Sequence, residues 1–431
     1  MITTITIIFV LGYLLITLEH PIRFNKTATA LITGVLCWII YVLSATAPEP
    51  VLEHLSHHLI EIAQILFFLL GAMTIVELID IHDGFTIITD RIATRNPKVL
   101  LWLISGLTFI LSALLDNLAS AIVMVSVTRK LVKNVEERKL IAGMIIIAAN
   151  AGGAWSPIGD VTTTMLWIGG QVSTTTIISQ LFLPSLICLL APLLWLSASF
   201  KPSLSTGSSN QKGVSRPYVT SIQRRDRRIV FAAGLTAIVM VPIIKTVTHL
   251  PPYMPMLLAL GMVWGISEII HADKDEQDRK RYTAAYALSK VDVPSILFFL
   301  GILLAVGTLE STGALTTVAA SLNKWIGDLD LIVLLIGVAS AIVDNVPIVA
   351  AMMGMYDLNT YPIDAKLWEF LAYTAGTGGS LLVIGSAAGV AVMGMEKLEF
   401  GWYLRRISGL ALLGYIAGAL VYLGIYALSH H

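Results

Sequence analysis

Long apolar runs separated by short polar stretches follow one another along the whole chain. They fall at about 2–18, 27–43, 58–79, 99–131, 138–170, 177–199, 229–246, 252–270, 293–310, 329–355, 367–395 and 406–428. A bilayer core takes roughly 17–25 apolar residues per helical crossing, and a helix satisfies its own backbone groups where no water can. Most of the runs fit one crossing each. Those at 99–131, 138–170 and 367–395 are too long for one straight span, and 329–355 is marginally long. The pattern predicts an all-α polytopic membrane protein.

Positive charge chooses between two topologies. If all twelve runs cross once, Lys and Arg divide 18 to 10 between the two sides. If 99–131 and 329–355 instead enter and leave on the same side as re-entrant hairpins, 25 of the 28 fall on one side, and only Lys245, Lys324 and Lys366 on the other. The second division fits the excess of basic residues in cytoplasmic loops. It predicts about ten full spans, two re-entrant helical hairpins, two interrupted helices, and both termini outside the cytoplasm. The stretch 201–228, rich in Ser and Gly and ending in Arg224-Arg225-Asp226-Arg227-Arg228, reads as a cytoplasmic linker. Residues 80–94 mix apolar and charged positions and predict an interfacial helix.

The two sides of that linker repeat. Ile65-Leu66-Phe67-Phe68-Leu69 recurs as Ile296-Leu297-Phe298-Phe299-Leu300, each followed by a glutamate, Glu77 and Glu310. Ser112-Ala113-Leu114-Leu115-Asp116-Asn117 recurs as Ser340-Ala341-Ile342-Val343-Asp344-Asn345, and Gly152-Gly153 with Ile158-Gly159 as Gly378-Gly379 with Ile384-Gly385. The offsets are 231, 228 and 226, in the same order. Five crossings and one hairpin per half insert the second half upside down. The expected organisation is two inverted-topology repeats, 1–200 (hairpin 99–131, broken helix 138–170) and 229–431 (hairpin 329–355, broken helix 367–395). Secondary transporters place their sites between such repeats, at discontinuous helices.

Composition supports the membrane assignment: 56% of the 431 residues are hydrophobic and 13% charged, against about 25% charged in a soluble domain, with a mean hydropathy of +0.80. Residues 2–18 read as the first span, since no basic stretch precedes them and no small-residue cleavage pattern follows. Cys37 and Cys188 sit in apolar runs as small core residues. Net charge is zero and no basic domain stands apart, so lipid is the expected partner, with no nucleic acid and no soluble partner. No ATP-binding motif occurs, which leaves ion gradients as the coupling source.

The candidate chemistry lies in the long runs. Asp116-Asn117 and Asp344-Asn345 fall near the middle of the two hairpins, where an acidic side chain is costly and usually functional. The interruption Asn150-Ala151-Gly152-Gly153-Ala154-Trp155-Ser156-Pro157-Ile158-Gly159-Asp160 breaks one long helix, and Thr374-Ala375-Gly376-Thr377-Gly378-Gly379-Ser380 the other, with Ser386 aligned to Asp160. Gly152, Gly153, Pro157, Gly378, Gly379 and Pro347 are the expected breaking residues. Half-helix carbonyl ends, the oxygens of Asn117, Asn345, Ser112, Ser340, Asn150, Ser156, Thr377 and Ser380, and the charges of Asp116, Asp344 and Asp160 form the donor set. It suits a hard cation such as Na+. A buried carboxylate holds a proton or a metal cation in turn, so exchange of the two follows. Glu77 and Glu310 are the ion-path candidates. No resident cofactor is expected; Na+ or Li+ and H+ are the transported ions.

Leu-Ser-Ala-Leu-Leu-Asp-Asn at 111–117, Asn-Ala-Gly-Gly-Ala-Trp-Ser-Pro-Ile-Gly-Asp at 150–160 and Ala-Ile-Val-Asp-Asn-Val-Pro at 341–347 carry a resemblance. The chain resembles the NhaD family of sodium/proton antiporters, within the ion transporter superfamily that includes divalent-anion/sodium symporters and arsenite permeases. The resemblance covers about residues 5–428. It implies an inner-membrane antiporter that extrudes Na+, and Li+ with it, in exchange for external H+, often as a homodimer. The alternative is a sodium-coupled symporter or permease for a small organic anion or arsenite. Acidic tips at Asp116 and Asp344, with no Arg at the tips 111–117 and 341–347 or the breaks 150–160 and 374–380, disfavour an anion.

Overall fold

The computed structural model describes residues 1–22, 24–90, 92, 94, 96–199, 221–273, 275 and 279–429. All regular structure among them is helical. The chain is an all-α polytopic membrane protein. Among the described residues, eight helices are long and apolar enough to cross a membrane: α3 (Lys26–Ser44), α4 (Glu49–Ile81), α6 (Pro97–Leu114), α10 (Thr174–Ser199), α11 (Ser221–Thr248, its apolar part from Arg225), α12 (Tyr253–Ile270), α14 (Val293–Ser311) and α21 (Ser408–Ser429). The other apolar runs form shorter helices, α1 (Ile2–Thr17) and the half-helices below. Large apolar side chains such as Leu11, Val35, Ile60, Ile110, Leu258 and Leu420 lie exposed on the outer faces. Such patches suit lipid, not water.

Local chemistry fixes several starts. Asn25, Asn96 and Asn134 each accept a hydrogen bond from the backbone N–H two residues on, at 2.8, 3.0 and 2.9 Å. These caps open α3, α6 and α8 (Val135–Ala154), each adding about 1 kcal/mol. The mixed stretch at 80–94 forms only the short α5 (Thr86–Thr89) among its described residues, because Asp83 and Gly84 close turns onto Asp80 and Ile79. Of the expected linker, 201–220 lies outside the described residues, and 221–228 form the first turns of α11.

All four long runs divide. The run 99–131 is α6 and α7 (Asn117–Leu131), and 138–170 is α8 and α9 (Val161–Ile168). The run 329–355 is α16 (Leu329–Ala339) and α17 (Asn345–Met355), and 367–395 is α18 (Lys366–Gly378) and α19 (Ala387–Glu396). Pro157 stands within its break. Gly152 and Gly153 instead belong to the last turn of α8, Gly378 ends α18, and Pro347 sits in the first turn of α17. A proline in a helix's first turn removes only an N–H that had no partner there.

Packing sorts the helices into two bundles. One holds α1, α3, α4, α11, α12 and α14; the other holds α6 to α10, α16 to α19 and α21. Pairings recur across the chain: α1 lies on α3 as α11 on α12, α14 on α3 as α12 on α4, and α6 on α8 as α16 on α18. The second pieces cross over, α7 against α19 and α17 against α9. Glycine permits the tightest contacts. A Cβ on Gly152 would land on the Phe109 carbonyl, and one on Gly378 on the Gly337 carbonyl. At the end of this bundle, the buried Glu396 accepts from Arg129 Nε at 2.7 Å and Arg138 Nε at 2.6 Å, joining α19 to α7 and α8.

Gly152→Ala is expected to lower the thermal midpoint of the purified protein sharply, since backbone must move to admit the methyl. Gly424→Ala, with nothing within 4 Å of the new Cβ, should be neutral or stabilising by up to about 1 kcal/mol. Equal midpoints for both variants would refute the close-approach account.

Candidate functional site

The four breaks share one geometry. Asp116, Asp160, Asp344 or Ser386 precedes each second half-helix and takes its N-cap position, all but Asp344 in extended conformation. Three use their side chains as caps. Asp116 Oδ1 accepts from Ala119 N at 2.6 Å, Ser386 Oγ from Gly389 N at 3.1 Å, and Asp344 Oδ1 from Val346 N at 3.4 Å. Asp160 does not cap its helix. Its carboxylate turns inward and is only 2% exposed as a residue.

The breaks of the runs 99–131 and 329–355 both reach that carboxylate. Asn117 Nδ2 donates to Asp160 Oδ1 at 2.9 Å, and Asn345 Nδ2 to Asp160 Oδ2 at 3.4 Å. Thr162 Oγ1 donates to Oδ2 at 2.5 Å. Asn117 Nδ2 also lies 3.2 Å from Asn150 Oδ1, and Asn150 Nδ2 donates to Ser380 Oγ at 2.9 Å and Ser386 Oγ at 3.0 Å. Residues of both halves thus form one buried network. The N-termini of α7, α9 and α17, which carry partial positive charge, bring Asn117, Thr162 and Asn345 to the carboxylate.

The two halves differ at matched positions. At the offset of 226, Asn150 corresponds to Gly376 and Asp160 to Ser386. Gly376 lets α18 pack closely on α8: a Cβ there would stand 3.0 Å from Ala154 Cβ and in ordinary contact, 3.5 Å, with Asp160 Oδ2. Asn150 fills the corresponding space beside Ser386. The core of this network therefore contains one acid, not two.

The remaining expected residues occupy three kinds of place. Ser112, Ser156, Ser340 and Thr377 are buried, but their hydroxyls donate to the carbonyls of Ala149, Ala113, Gly337 and Tyr373 at 2.5–2.7 Å. Ala113 and Gly337 lie in the last turns of α6 and α16, so Ser156 and Ser340 satisfy carbonyls that the breaks leave without a helical partner. Asp116 is partly buried and lines a cavity of about 160 Å³ with Glu77, Asp80, Lys290 and Asp292. Asp344 lines a larger cavity, about 690 Å³, with Tyr13, Lys26, Asp292 and Ile384. Leu118 and Asp292 border both. Lys26 Nζ stands 3.9 Å from Asp344 Oδ2 and 4.8 Å from the centre of the Phe298 ring. Glu310 lines a third cavity of about 270 Å³ at the other end of α4 and α14, with His58, Glu61 and Gln171.

Sequence reasoning left Lys26 and Thr162 out of the donor set. Thr162 follows the break directly, which was a usable signal. Lys26 opens a span as many loop lysines do, and only folding brings it to Asp344.

The citrate transporter family model (CitMHS) matches residues 13–373. Sodium/proton antiporter 1 of Arabidopsis thaliana is 49% identical over 423 residues, covering 98% of this chain and 72% of that protein. Sodium/proton antiporter 2 of the same plant is 47% identical over 425 residues, covering 97% and 99%. The Na(+)/H(+) antiporter NhaD of Vibrio cholerae is 33% identical over 451 residues, covering 97% and 90%.

Asn150→Ala deletes one acceptor and two donated bonds and leaves buried hydroxyls without that partner. A loss of about 1–3 kcal/mol is expected, read as a lower thermal midpoint. An unchanged midpoint would show that the network is not holding the two halves together.

Proposed function

Because the chain belongs to the NhaD-type sodium/proton antiporter family, within the ion transporter superfamily, we propose that it exchanges cytoplasmic Na+, and Li+, for external H+ across a cell inner membrane. Members of this family are secondary transporters driven by ion gradients, not enzymes. The observation that carries the reading is the Asp160 carboxylate, reached by an asparagine from each hairpin tip and not engaged in capping its own helix.

The chemistry follows from what Asp160 can hold. Its negative charge accepts a proton or a cation, and the arrival of one displaces the other. With neither bound, Asn117 and Asn345 donate N–H to it. Each amide, turned over, offers an oxygen instead, so the same two side chains serve an empty carboxylate and a coordinated cation. Thr162 and Ser380 add hydroxyl oxygens, and Na+ as a hard ion favours such a set. Asp116 and Asp344, in cavities beside the tips, act as charged stations on the way in. Lys26 gives Asp344 a temporary partner, which an entering cation replaces.

The recurring packing pairs and the crossed contacts of α7 with α19 and α17 with α9 support two repeats of inverted topology, with 99–131 and 329–355 as re-entrant hairpins. The Asp116 and Asp344 cavities lie at the end bearing Lys26, Lys290 and Asp292, which the distribution of basic residues makes cytoplasmic. We read that end as the cytoplasmic entrance. Movement of the bundle with the broken helices against the other would close that end and open the Glu310 cavity outside, giving alternating access.

The family model's name raises the competing substrate, a citrate-like anion. Four half-helix N-termini would attract one. Asp160 already places a carboxylate there, and Asn117, Asn345 and Thr162 donate to it. It converts an anion cradle into a cation site and would repel a polycarboxylate.

In everted vesicles, Na+ or Li+ added to the parent should collapse a preformed proton gradient, and citrate should not. Asp160→Asn should abolish the response with normal membrane abundance, while Asp116→Asn and Asp344→Asn weaken it at least tenfold. Parent-like exchange in Asp160→Asn would end the assignment of that carboxylate. Citrate uptake by the parent would replace the substrate.

A further inference from the structure

A cluster of side chains lies at the end of α4 farthest from the Asp116 cavity. His57 and His58 are successive residues, and Glu61 follows one turn later, at i+4 from the first and i+3 from the second. Both histidines therefore flank one carboxylate on the helix surface. His57 Nδ1 is 3.7 Å from Glu61 Oε1, and His58 Nδ1 is 3.6 Å from Glu61 Oε2. One nitrogen from each histidine and one oxygen of Glu61 all lie within 4.8 Å of one another.

These spacings are close to those of a coordination sphere. A tetrahedral zinc ion with bonds of about 2.0–2.1 Å separates neighbouring ligand atoms by roughly 3.4 Å. His57 and Glu61 are exposed, with side chains 71% and 56% accessible, and small rotations bring them in. His58 is already held. Its side chain is 13% accessible, its ring lies over Gly307 and 6.1 Å from the Trp38 ring, and its Nε2 is 3.0 Å from Ser311 Oγ. The Ser311 hydroxyl can accept Nε2–H, leaving the Nδ1 lone pair turned toward Glu61. Metal-ligating histidines are oriented by an outer hydrogen bond of this kind. An ordinary exposed ion pair needs neither the second histidine nor the serine behind it.

The cluster borders a functional passage. His58 and Glu61 line the Glu310 cavity together with Gln64 of α4 and with Ala350 and Met353 of α17. Glu310 reaches toward α17, since a Cβ on Gly354 would stand 3.1 Å from its Oε2. An ion held here would sit where the two bundles face one another.

We propose that His57, His58 and Glu61 form a binding site for a divalent transition-metal ion of the Zn2+ class at the mouth of the Glu310 cavity. Two imidazole nitrogens and one carboxylate oxygen supply three ligands, and water completes the set. The nitrogen donors separate this site from the all-oxygen set at Asp160, so Na+ has no preference for it.

The test uses the purified full chain, without an added histidine tag, and Co2+ as a spectroscopic stand-in for Zn2+. The parent should bind Co2+ with visible ligand-field bands of a four-coordinate site, and Zn2+ should displace it. His57→Ala and Glu61→Gln, both at exposed positions, should each weaken Zn2+ binding at least about tenfold without lowering the thermal midpoint. Absence of those bands in the parent, or parent-like Zn2+ affinity in both variants, overturns the proposal. Metal binding is read without ion exchange, so the outcome stands whatever ions the protein transports.

Discussion

A helix that stops inside hydrocarbon leaves amide and carbonyl groups with no solvent, and each costs several kcal/mol if nothing answers it. This chain interrupts four apolar runs, and much of the surrounding sequence answers that cost. Ser112, Ser156, Ser340 and Thr377 donate to carbonyls near the breaks. Thr164 Oγ1 donates to the Pro157 carbonyl at 2.9 Å, and Tyr403 Oη to that of Ser380 at 2.8 Å. Asp116, Asp344 and Ser386 answer the opposite need, for acceptors at half-helix N-termini. What remains after this satisfaction is one carboxylate with its own helix uncapped.

That remainder gives the site its polarity. A pair of strictly identical halves would place two acids, or none, at the point where they meet. Two acids in contact would repel, and one would tend to keep a proton. The substitution of Ser386 for a second Asp160, and of Asn150 for a second Gly376, avoids this. Volume is exchanged along with charge: the small residue stands opposite the acid and the amide opposite the hydroxyl. The near-symmetry of the sequence brings matched polar residues together, and the departure from it leaves one acid among them.

The two bundles divide labour on the same physical grounds. Helices without breaks satisfy themselves and can present wide apolar faces to lipid; α1, α3, α11 and α12 do so. Broken helices need neighbours on every side, and α8 is buried over nearly its whole second half, from Ile141 to Ala154. Between the bundles lie the cavities, where charged residues such as Lys26, Asp344 and Glu310 are reached by water.

The positions of the breaks were legible in the chain, because Gly-Gly, Pro157 and paired Asp-Asn motifs interrupt apolar runs that are otherwise too long. So was the convergence of Asn117, Asn150, Asp160, Asn345 and Ser380, inferred from repeats at offsets of 226–228. The rank of the acids was not legible. Asp116, Asp160 and Asp344 look alike as letters in apolar surroundings, and each takes an N-cap position. Whether a carboxylate caps the backbone of its own helix or also meets side chains from other helices is decided by side-chain direction and packing, here against Asn117 and Asn345. The pairing of Lys26 with Asp344 joins residues 318 apart in the chain. Sequence alone determined a helical membrane chain with polar interruptions at matched places. Only the tertiary structure decided which acid faces both tips, because that depends on packing between helices distant in sequence, and no local periodicity encodes it.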